Sequence, residues 1–270
     1  MKNNTNYINT SPIGVFDSGM GGLSVLREIR KLLPYEDLIY IADSLHAPYG
    51  DRSTQHVQSR SQKIANFLLD KNIKALVVAC NTATAEAVDL LREQLSIPVI
   101  GLEPAIKPGA KVSKTGVIGV LATQRTIDSE RLTSLAIRHA PHTKVIAQAC
   151  PGLVEKVEEN HLDRYDTRLL IKKYTTPLLE QNADTIILGC THYPFLSQTI
   201  RIIVGKEIRL IETGRPVARQ LQRILQQHYL LNNCDHTGEI RFYNSSHLRQ
   251  HKNTMQQLWL GSIQILPLPI

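Results

Sequence analysis

The sequence contains few aromatic side chains and no long hydrophobic segment. Phe, Trp and Tyr make up 5% of its 270 residues, which leaves little material for the aromatic platforms that stack on single-stranded nucleic acid. No apolar run approaches the roughly 20 residues that span a bilayer. The first residues, Met1 to Pro12, lack the apolar segment of a secretory signal. We therefore expect a cytoplasmic protein with no membrane association.

Cysteine is also scarce. The four cysteines, Cys80, Cys150, Cys190 and Cys234, are widely spaced and form no Cys-x-x-Cys pair. This spacing argues against a disulfide framework and against a structural zinc site. We expect free thiols, which are credible reactive groups in the cytoplasm. Cys234 is predicted to lie in a polar turn and is interpreted as incidental.

The excess of positive charge is modest. The chain has 31 Lys and Arg against 24 Asp and Glu, a formal net charge of +7, without a dense basic block. An anionic partner would fit this excess of positive charge. A small acidic substrate fits better than nucleic acid, and so does the interpretation that the charge has no functional meaning. Arg215, Arg219 and Arg223 lie four residues apart. They are interpreted as a solvated helix face.

Short apolar runs alternate with amphipathic helical patterns along most of the chain. This alternation predicts an α/β fold with doubly wound parallel sheets. Helices are predicted at 128–139, 168–180 and 195–204, and 101–114 is interpreted as a crossing between domains. The predicted strands are 13–16, 38–42, 75–80, 97–100, 116–123, 144–149, 185–190, 208–211 and 240–243.

The pattern restarts in the middle of the chain. The tripeptide Ile-Gly-Val occurs at residue 13 and again at 118, and Cys80 and Cys190 are separated by a similar interval. Near-equal offsets predict two similar α/β halves. We expect the halves to face each other across a cleft, with the C-terminal segment returning to the first. The predicted domains are residues 1–104 with 214–270, and residues 105–213.

Cys80 and Cys190 each end a predicted strand and precede polar residues. Such turns lie at the carboxyl edge of a parallel sheet, where ligands bind, and the following helix favours a thiolate. Two thiols on opposite sides of a cleft fit a reaction that removes a proton from one face of a carbon and returns one to the other. Asp17 and His192 are candidate assistants.

Other chemistries remain open from these residues alone. Cys190 with His192 would suit a hydrolase nucleophile, although Cys80 would then have no role. A metal site formed by Cys80, Cys190 and His192 is geometrically possible, but their spacing does not require it. The glycine-rich turn after Asp17 lacks the dinucleotide-binding order. It is better suited to binding a carboxylate or phosphate through its amides, so a non-catalytic phosphate-binding protein also stays open.

Several motifs together resemble the glutamate racemase family. The cysteine motifs alone are shared with aspartate and hydantoin racemases, whereas the Asp-Ser-Gly and Pro-Tyr-Gly motifs are more specific to the glutamate branch. The resemblance spans Ile13 to Glu212. The motifs are FDSGMGG at 16–22, ADS at 42–44, PYG at 48–50, CNTA at 80–83, GLEP at 101–104 and GCTHYP at 189–194.

The resemblance implies interconversion of L- and D-glutamate without a cofactor or a metal, supplying D-glutamate for peptidoglycan. It implies that Cys80 acts on the D-enantiomer and Cys190 on the L-enantiomer, assisted by Asp17 and His192. Glu158 is the expected assisting glutamate, with Glu155 as the alternative register. The implied substrate contacts are Asp17, Ser18, Tyr49, Gly50, Asn81, Thr82, Thr123, Thr191 and His192.

The partners are less constrained. The resemblance leaves open whether a peptidoglycan precursor activates the enzyme, and it implies a homodimer or a monomer. An aspartate racemase is the nearest alternative. A non-catalytic binding module or a nucleic-acid partner is the alternative from another class.

Overall fold

The computed structural model describes residues 9–270. Part of the N-terminal segment expected to lack a signal sequence, and the start of the first predicted domain, lie outside these residues. Strands and helices alternate as predicted. The strands are β1 (Ile13–Asp17), β2 (Leu38–Ala42), β3 (Ala75–Val78), β4 (Val99–Gly101), β5 (Val117–Ala122), β6 (Lys144–Ala149), β7 (Thr185–Leu188), β8 (Arg209–Ile211), β9 (Ile240–Asn244) and β10 (Ile265–Pro267).

The helices connect and cover these strands. Two short 3-10 helices, Tyr49–Asp51 and Tyr193–Leu196, lie in the loops. Across residues 9–270, none of the helices combines the length and the apolar character that crossing a membrane requires. The α-helices are α1 (Leu23–Leu32), α2 (Thr54–Leu69), α3 (Asn81–Gln94), α4 (Ile106–Val112), α5 (Gln124–Ile127), α6 (Glu130–His139), α7 (Leu153–Glu158), α8 (Tyr165–Glu180), α9 (Ser197–Val204), α10 (Gly214–Gln227) and α11 (Arg249–Trp259).

The strands form two parallel sheets, which confirms the predicted fold class. The first sheet has the order β10-β9-β2-β1-β3-β4, and the second has the order β6-β5-β7-β8. Because β9 pairs with β2 in parallel, the C-terminal segment does return to the first sheet. Each sheet follows the strand–helix–strand pattern that gives parallel neighbours.

Helices pack on both faces of the first sheet because its central strands are apolar on both faces. Val15 and its α1 neighbour Leu26 belong to one core cluster. Phe16, the next residue of β1, belongs to a second cluster with Ile64 of α2. Successive side chains of a strand point to opposite faces, and burying each of them stabilises the fold by about 1.5–3 kcal/mol.

Strand pairing brings the functional loops to one edge of each sheet. In the first sheet, Asp17 lies opposite Ala42 at the ends of β1 and β2, and β3 ends two residues before Cys80. In the second sheet, Leu121 of β5 lies opposite Leu188 of β7, two residues before Cys190. Parallel strands end at a common edge, so the residues that follow them are brought together.

The structure differs from the sequence-based prediction in its smaller elements. The crossing at 101–114 contains helix α4, which packs directly on β7. Gly109 permits this close packing, since a Cβ at its position would lie 2.7 Å from the Ile187 side chain. The predicted helix 128–139 begins instead at Glu130, where the Ser129 hydroxyl accepts the Leu132 N–H. Strand β10 was not predicted, since it is short and ends at a proline.

Candidate active site

A small buried cavity lies between the carboxyl edges of the two sheets, and both Cys80 and Cys190 line it. Its free volume is about 10 Å³, close to the smallest space that holds one water molecule. This space is too small for an amino acid. The lining residues are Ser18, Pro48, Tyr49, Gly50, Cys80, Asn81, Thr82, Thr123, Val154, Cys190, Thr191 and His192.

Most of the sequence-predicted site residues thus lie together, and two lie just behind the others. Asp17 and Glu158 do not line the cavity, but each contacts residues that do. Glu155 lines two outer clefts beside Pro48. Larger surface clefts, such as the one lined by Asp89, contain neither Cys80 nor Cys190.

Cys80 is placed by the junction of β3 and α3. Its backbone is extended, and its Sγ accepts the Ala83 N–H at 3.4 Å, so that it caps the helix. The thiol donates to Ser18 Oγ at 3.6 Å. Burial raises the pKa of the Cys80 thiol, the charge of Asp17 raises it further, and the Ala83 amide offsets only part of this effect. In the closed cleft Cys80 is therefore a neutral thiol.

Cys190 follows β7 through Gly189. A Cβ at Gly189 would lie 2.9 Å from the Leu121 carbonyl oxygen, so glycine allows the chain to turn close to β5. The Cys190 Sγ lies 3.7 Å from His192 Nδ1. This contact gives the second thiol a partner that can exchange a proton with it.

His192 is fully buried and is held by Glu158, whose Oε1 lies 2.7 Å from His192 Nε2. Glu158 Oε1 also accepts the Met20 N–H at 2.6 Å. A proton on Nε2 satisfies the short contact with Glu158 and leaves the Nδ1 lone pair facing Cys190; we assign this tautomer from the hydrogen bonds. Burial lowers the pKa of His192, but its hydrogen bonds with Cys190 and Glu158 outweigh burial and raise the pKa well above its ordinary value.

Asp17 lies at the end of β1 and is fully buried. Its Oδ2 accepts the Gly22 N–H at 2.8 Å, and the Thr191 hydroxyl donates to it from 3.4 Å. Burial raises the pKa of Asp17, and the opposing effects of His192 and the Gly22 amide do not cancel it. Asp17 is therefore a carboxyl group that can hold a proton near Cys80.

The glycine-rich turn does not have the role expected from its sequence alone. Its amides do meet carboxylates, but these belong to the chain itself, since Met20 donates to Glu158 and Gly22 to Asp17. The Gly21 N–H lies 3.2 Å from His192 Nε2. The Met20 and Gly22 donors already have acceptors. The Gly21 N–H points at a nitrogen that itself carries a proton in the assigned tautomer, so this contact is not a hydrogen bond. Two of the three amides are therefore occupied, which leaves little of the turn for a phosphate.

A buried ion pair supports the loop that carries Tyr49 and Gly50. Arg60 of α2 donates to both carboxylate oxygens of Asp43, at 3.0 and 2.9 Å. The Tyr49 hydroxyl donates to Asp43 Oδ2 at 2.6 Å. Sequence reasoning missed Arg60, although the signal was present: Arg60 lies between Val57 and Ile64 on the apolar face of its helix, where a charge needs a buried partner.

Asn81 contributes an unpaired acceptor to the cavity. Its Nδ2 donates to the Leu102 carbonyl at 3.4 Å, whereas its Oδ1 is buried without a partner among the described residues. A buried polar atom is costly without a hydrogen bond, so this oxygen is suited to a ligand donor.

Within residues 9–270 no group of three or more His, Cys, Asp or Glu side chains is placed to hold one metal ion.

Known proteins resemble this chain over most of its length. A glutamate racemase from Methylococcus capsulatus is 47% identical over 261 residues, which cover 97% of this chain and 96% of that protein. The crystal structure of a glutamate racemase isoform from Bacillus anthracis superposes with a TM-score of 0.89 at 37% identity, covering 97% of this chain and 98% of that chain.

A second solved structure shares the fold and contains ligands. The Escherichia coli glutamate racemase, in complex with L-glutamate and the activator UDP-MurNAc-Ala, superposes with a TM-score of 0.83 at 29% identity, covering 95% of this chain and 97% of that chain. The family model described as Asp/Glu/Hydantoin racemase matches residues 13–221. The chain therefore belongs to the Asp/Glu/hydantoin racemase family of isomerases.

Proposed function

We propose that this protein interconverts L- and D-glutamate without a cofactor, using Cys80 and Cys190 as the two acid–base groups. The observation that carries the proposal is that the two thiols line one buried cavity, each coming from a different sheet. Each thiol has its own polar partner, His192 for Cys190 and Ser18 for Cys80. Such an arrangement suits proton transfer at both faces of one carbon.

In the direction from L- to D-glutamate, the Cys190 thiolate removes the α-proton. The C–H bond breaks, its electron pair remains on the α-carbon, and the charge is delocalised into the adjacent carboxylate. The Cys80 thiol then gives its proton to the opposite face. Cys190 ends as a thiol and Cys80 as a thiolate, so the reverse reaction uses the same groups with their roles exchanged.

The surroundings of the two thiols support these starting states. His192 Nδ1 can accept the Cys190 proton, and Glu158 stabilises the imidazolium that results. Burial keeps Cys80 protonated in the closed cleft, as an acid for this direction requires. For the reverse direction, the ammonium group of bound glutamate would favour the Cys80 thiolate, and Asp17 is placed to take up a proton.

The cavity supplies groups that suit an amino acid with two carboxylates. The hydroxyls of Ser18, Thr82 and Thr191 are donors for carboxylate oxygens, and Asn81 Oδ1 is an acceptor for the ammonium group. Enclosure removes water, which strengthens the stabilisation of charge that develops during proton abstraction. We further propose that residues 1–104 with 214–270 move against residues 105–213 to admit the substrate.

The proposed role is the supply of D-glutamate for peptidoglycan. A peptidoglycan precursor is a candidate activator, since the Escherichia coli racemase carries UDP-MurNAc-Ala in its structure. Aspartate is the competing substrate, because the family model groups aspartate and glutamate racemases.

Circular dichroism of L-glutamate incubated with the purified protein tests the proposal. The signal should decay to zero without pyridoxal phosphate, and the rate should be compared with and without UDP-MurNAc-Ala. L-aspartate is the matched control and should keep its signal. Decay with aspartate alone would identify an aspartate racemase. Stable signals together with salt-dependent DNA binding would favour a binding protein.

A further inference from the structure

Three successive backbone amides in the turn before α1 face three different acid–base side chains. The Met20 N–H donates to Glu158 Oε1 at 2.6 Å, and the Gly22 N–H donates to Asp17 Oδ2 at 2.8 Å. Between them, the Gly21 N–H lies 3.2 Å from His192 Nε2. Two of these three side chains, Glu158 and His192, come from the half of the chain that forms the second sheet.

The side chains approach so closely that only glycine fits at the flanking positions. A Cβ at Gly19 would lie 2.1 Å from Glu158 Oε1, and a Cβ at Gly21 would lie 2.3 Å from His192 Nδ1. A Cβ at Gly22 would lie 2.7 Å from the Cβ of Asp17. Real Cβ atoms are not found at such distances, and these neighbours are buried. Alanine at any of these positions would therefore displace a specific acid–base group.

A residue of the first sheet holds the turn in place. The Tyr40 hydroxyl, at the centre of β2, donates to the Gly19 carbonyl at 3.0 Å. Tyr40 and Met20 are both fully buried. A fixed turn that binds partners from both halves can set the position of each relative to the other.

We infer that the Met20–Gly22 turn is a positioning element for both proton-transfer assemblies. Gly21 sets His192 on the Cys190 side by packing against its ring, and the Gly22 amide sets Asp17 on the Cys80 side. The inference rests on the proposed racemisation and deepens it. The turn does not line the cavity, so it acts through the side chains that it contacts. One loop thereby positions the groups that act on the two opposite faces of the substrate.

The test compares Gly21→Ala with Gly22→Ala on both enantiomers. Because L- and D-glutamate are equal in free energy, kcat/KM must fall by the same factor in both directions, which we expect to be about 100-fold for a displacement of about 1 Å. The α-deuterium isotope effects separate the two sides. In Gly21→Ala the proton transfer at Cys190 is slowed. The isotope effect should therefore rise with deuterated L-glutamate and fall with deuterated D-glutamate. Gly22→Ala should give the opposite pattern.

Gly261→Ala is the matched control, since its new Cβ meets no atom closer than 3.5 Å, and both isotope effects should remain those of the wild type. Equal changes for both enantiomers in both alanine variants would overturn the inference. A wild-type protein that does not racemise glutamate would instead overturn the proposed function.

A measurement on the wild type covers the case in which a variant does not fold. The amides of Met20, Gly21 and Gly22 should exchange with deuterated water far more slowly than the amide of the exposed Gly261. Exchange of all three at the rate of Gly261 would show that the turn is open, and would overturn the inference.

Discussion

Thr82 Oγ1 lies 3.0 Å from Thr123 Oγ1, and this contact joins the helix that follows Cys80 to the end of β5 in the second sheet. Thr126 lies 3.4 Å from Thr82 and 3.0 Å from Thr123, so three hydroxyls meet at one place. Both Thr82 and Thr123 line the cavity. Their contact is therefore part of what closes it.

Further polar contacts on the same face of α3 extend this cluster of hydroxyls away from the cavity, and together they form a polar seam. Glu86 lies 3.5 Å from Arg125, and Asp89 lies 2.7 Å from Arg131, which also binds Glu103 at 2.6 Å. Partly exposed ion pairs contribute roughly 0–1 kcal/mol each. Such contacts can be exchanged for water at small cost, which suits the proposed opening of the cleft.

Arg131→Ala should loosen the seam without unfolding the protein. We expect the free energy of unfolding to change by less than about 1 kcal/mol, whereas Cys80 should be alkylated several-fold faster by a thiol reagent in the absence of substrate. Mass spectrometry of the modified peptide measures the rate. Arg138→Ala, an exposed position on the same helix, is the control. Equal alkylation rates for the two variants would argue against a closing role for Arg131.

Cys80→Ala and Cys190→Ala should each abolish racemisation, because each removes the proton donor or acceptor for one face of the substrate. A loss of about 10²–10⁴-fold or more is expected for removal of a positioned acid–base group. The decay of the circular dichroism signal of L-glutamate measures it. Cys234→Ala, whose thiol is free and only partly buried, should leave the rate unchanged. Full turnover by either of the first two variants would rule out the two-thiol mechanism.

Glu158→Gln should lower kcat about 10–100-fold, the effect of losing a charge-assisted hydrogen bond of about 1.5–3 kcal/mol. It should also lower the pKa of His192, which Cys190 and Glu158 hold above its ordinary value against burial. The raised pKa means that the contribution of protonated His192 to stability is complete below about pH 6.5 and is lost as the pH rises through the folded-state pKa. NMR titration of His192 measures the change. An unaltered titration would contradict the assigned contact.

Arg60→Met should destabilise the protein by about 3–5 kcal/mol, because it leaves the buried Asp43 carboxylate without the guanidinium that pairs with it. Burial raises the pKa of Asp43, but hydrogen bonds from Arg60 and Tyr49 lower it below its ordinary value. The variant should also raise KM, since Tyr49 and Gly50 line the cavity. Urea unfolding and steady-state kinetics measure the two effects, with the exposed Arg52→Met as the control.

Asp184→Asn should destabilise the protein more at neutral pH than in acid. Partial burial raises the pKa of Asp184, but hydrogen bonds from Ser113 and from the amides of Lys114 and Thr115 lower it to about 2. A depressed carboxyl pKa stabilises the fold above about pH 4, and this contribution is lost as the pH falls toward 2. After allowing for solvent screening we expect roughly 1 kcal/mol at pH 7.

Denaturant unfolding at pH 7 and pH 3 measures this difference between the wild type and Asp184→Asn. Asp235→Asn is the control, since the Asp235 side chain is fully exposed. A destabilisation by Asp184→Asn that is as large at pH 3 as at pH 7 would mean that the charge of Asp184 is not responsible.

The sequence was sufficient to predict the parallel sheets and the place of both cysteines, because apolar runs ending in polar turns have few other interpretations. The contacts of His192 with Glu158 could be expected only from the resemblance, since 34 residues separate them. The amide contacts of Met20 and Gly22 could not be predicted, because a backbone donor leaves no trace in residue type. The burial of Arg60 could be predicted from its position on an apolar helix face. Its partner could not, because Asp43 lies in a loop without periodicity.

The return of the C-terminal segment has a consequence for synthesis of the protein. Strands β5 to β8 all lie within residues 117–211, whereas β2 remains an unpaired edge until β9 emerges near the end of the chain. Unpaired edges are sites where chains associate wrongly. On the ribosome, the sheet of Cys190 can therefore be complete while the sheet of Cys80 still lacks two strands. A nascent chain released early would have one cysteine in place and an open edge in the other half.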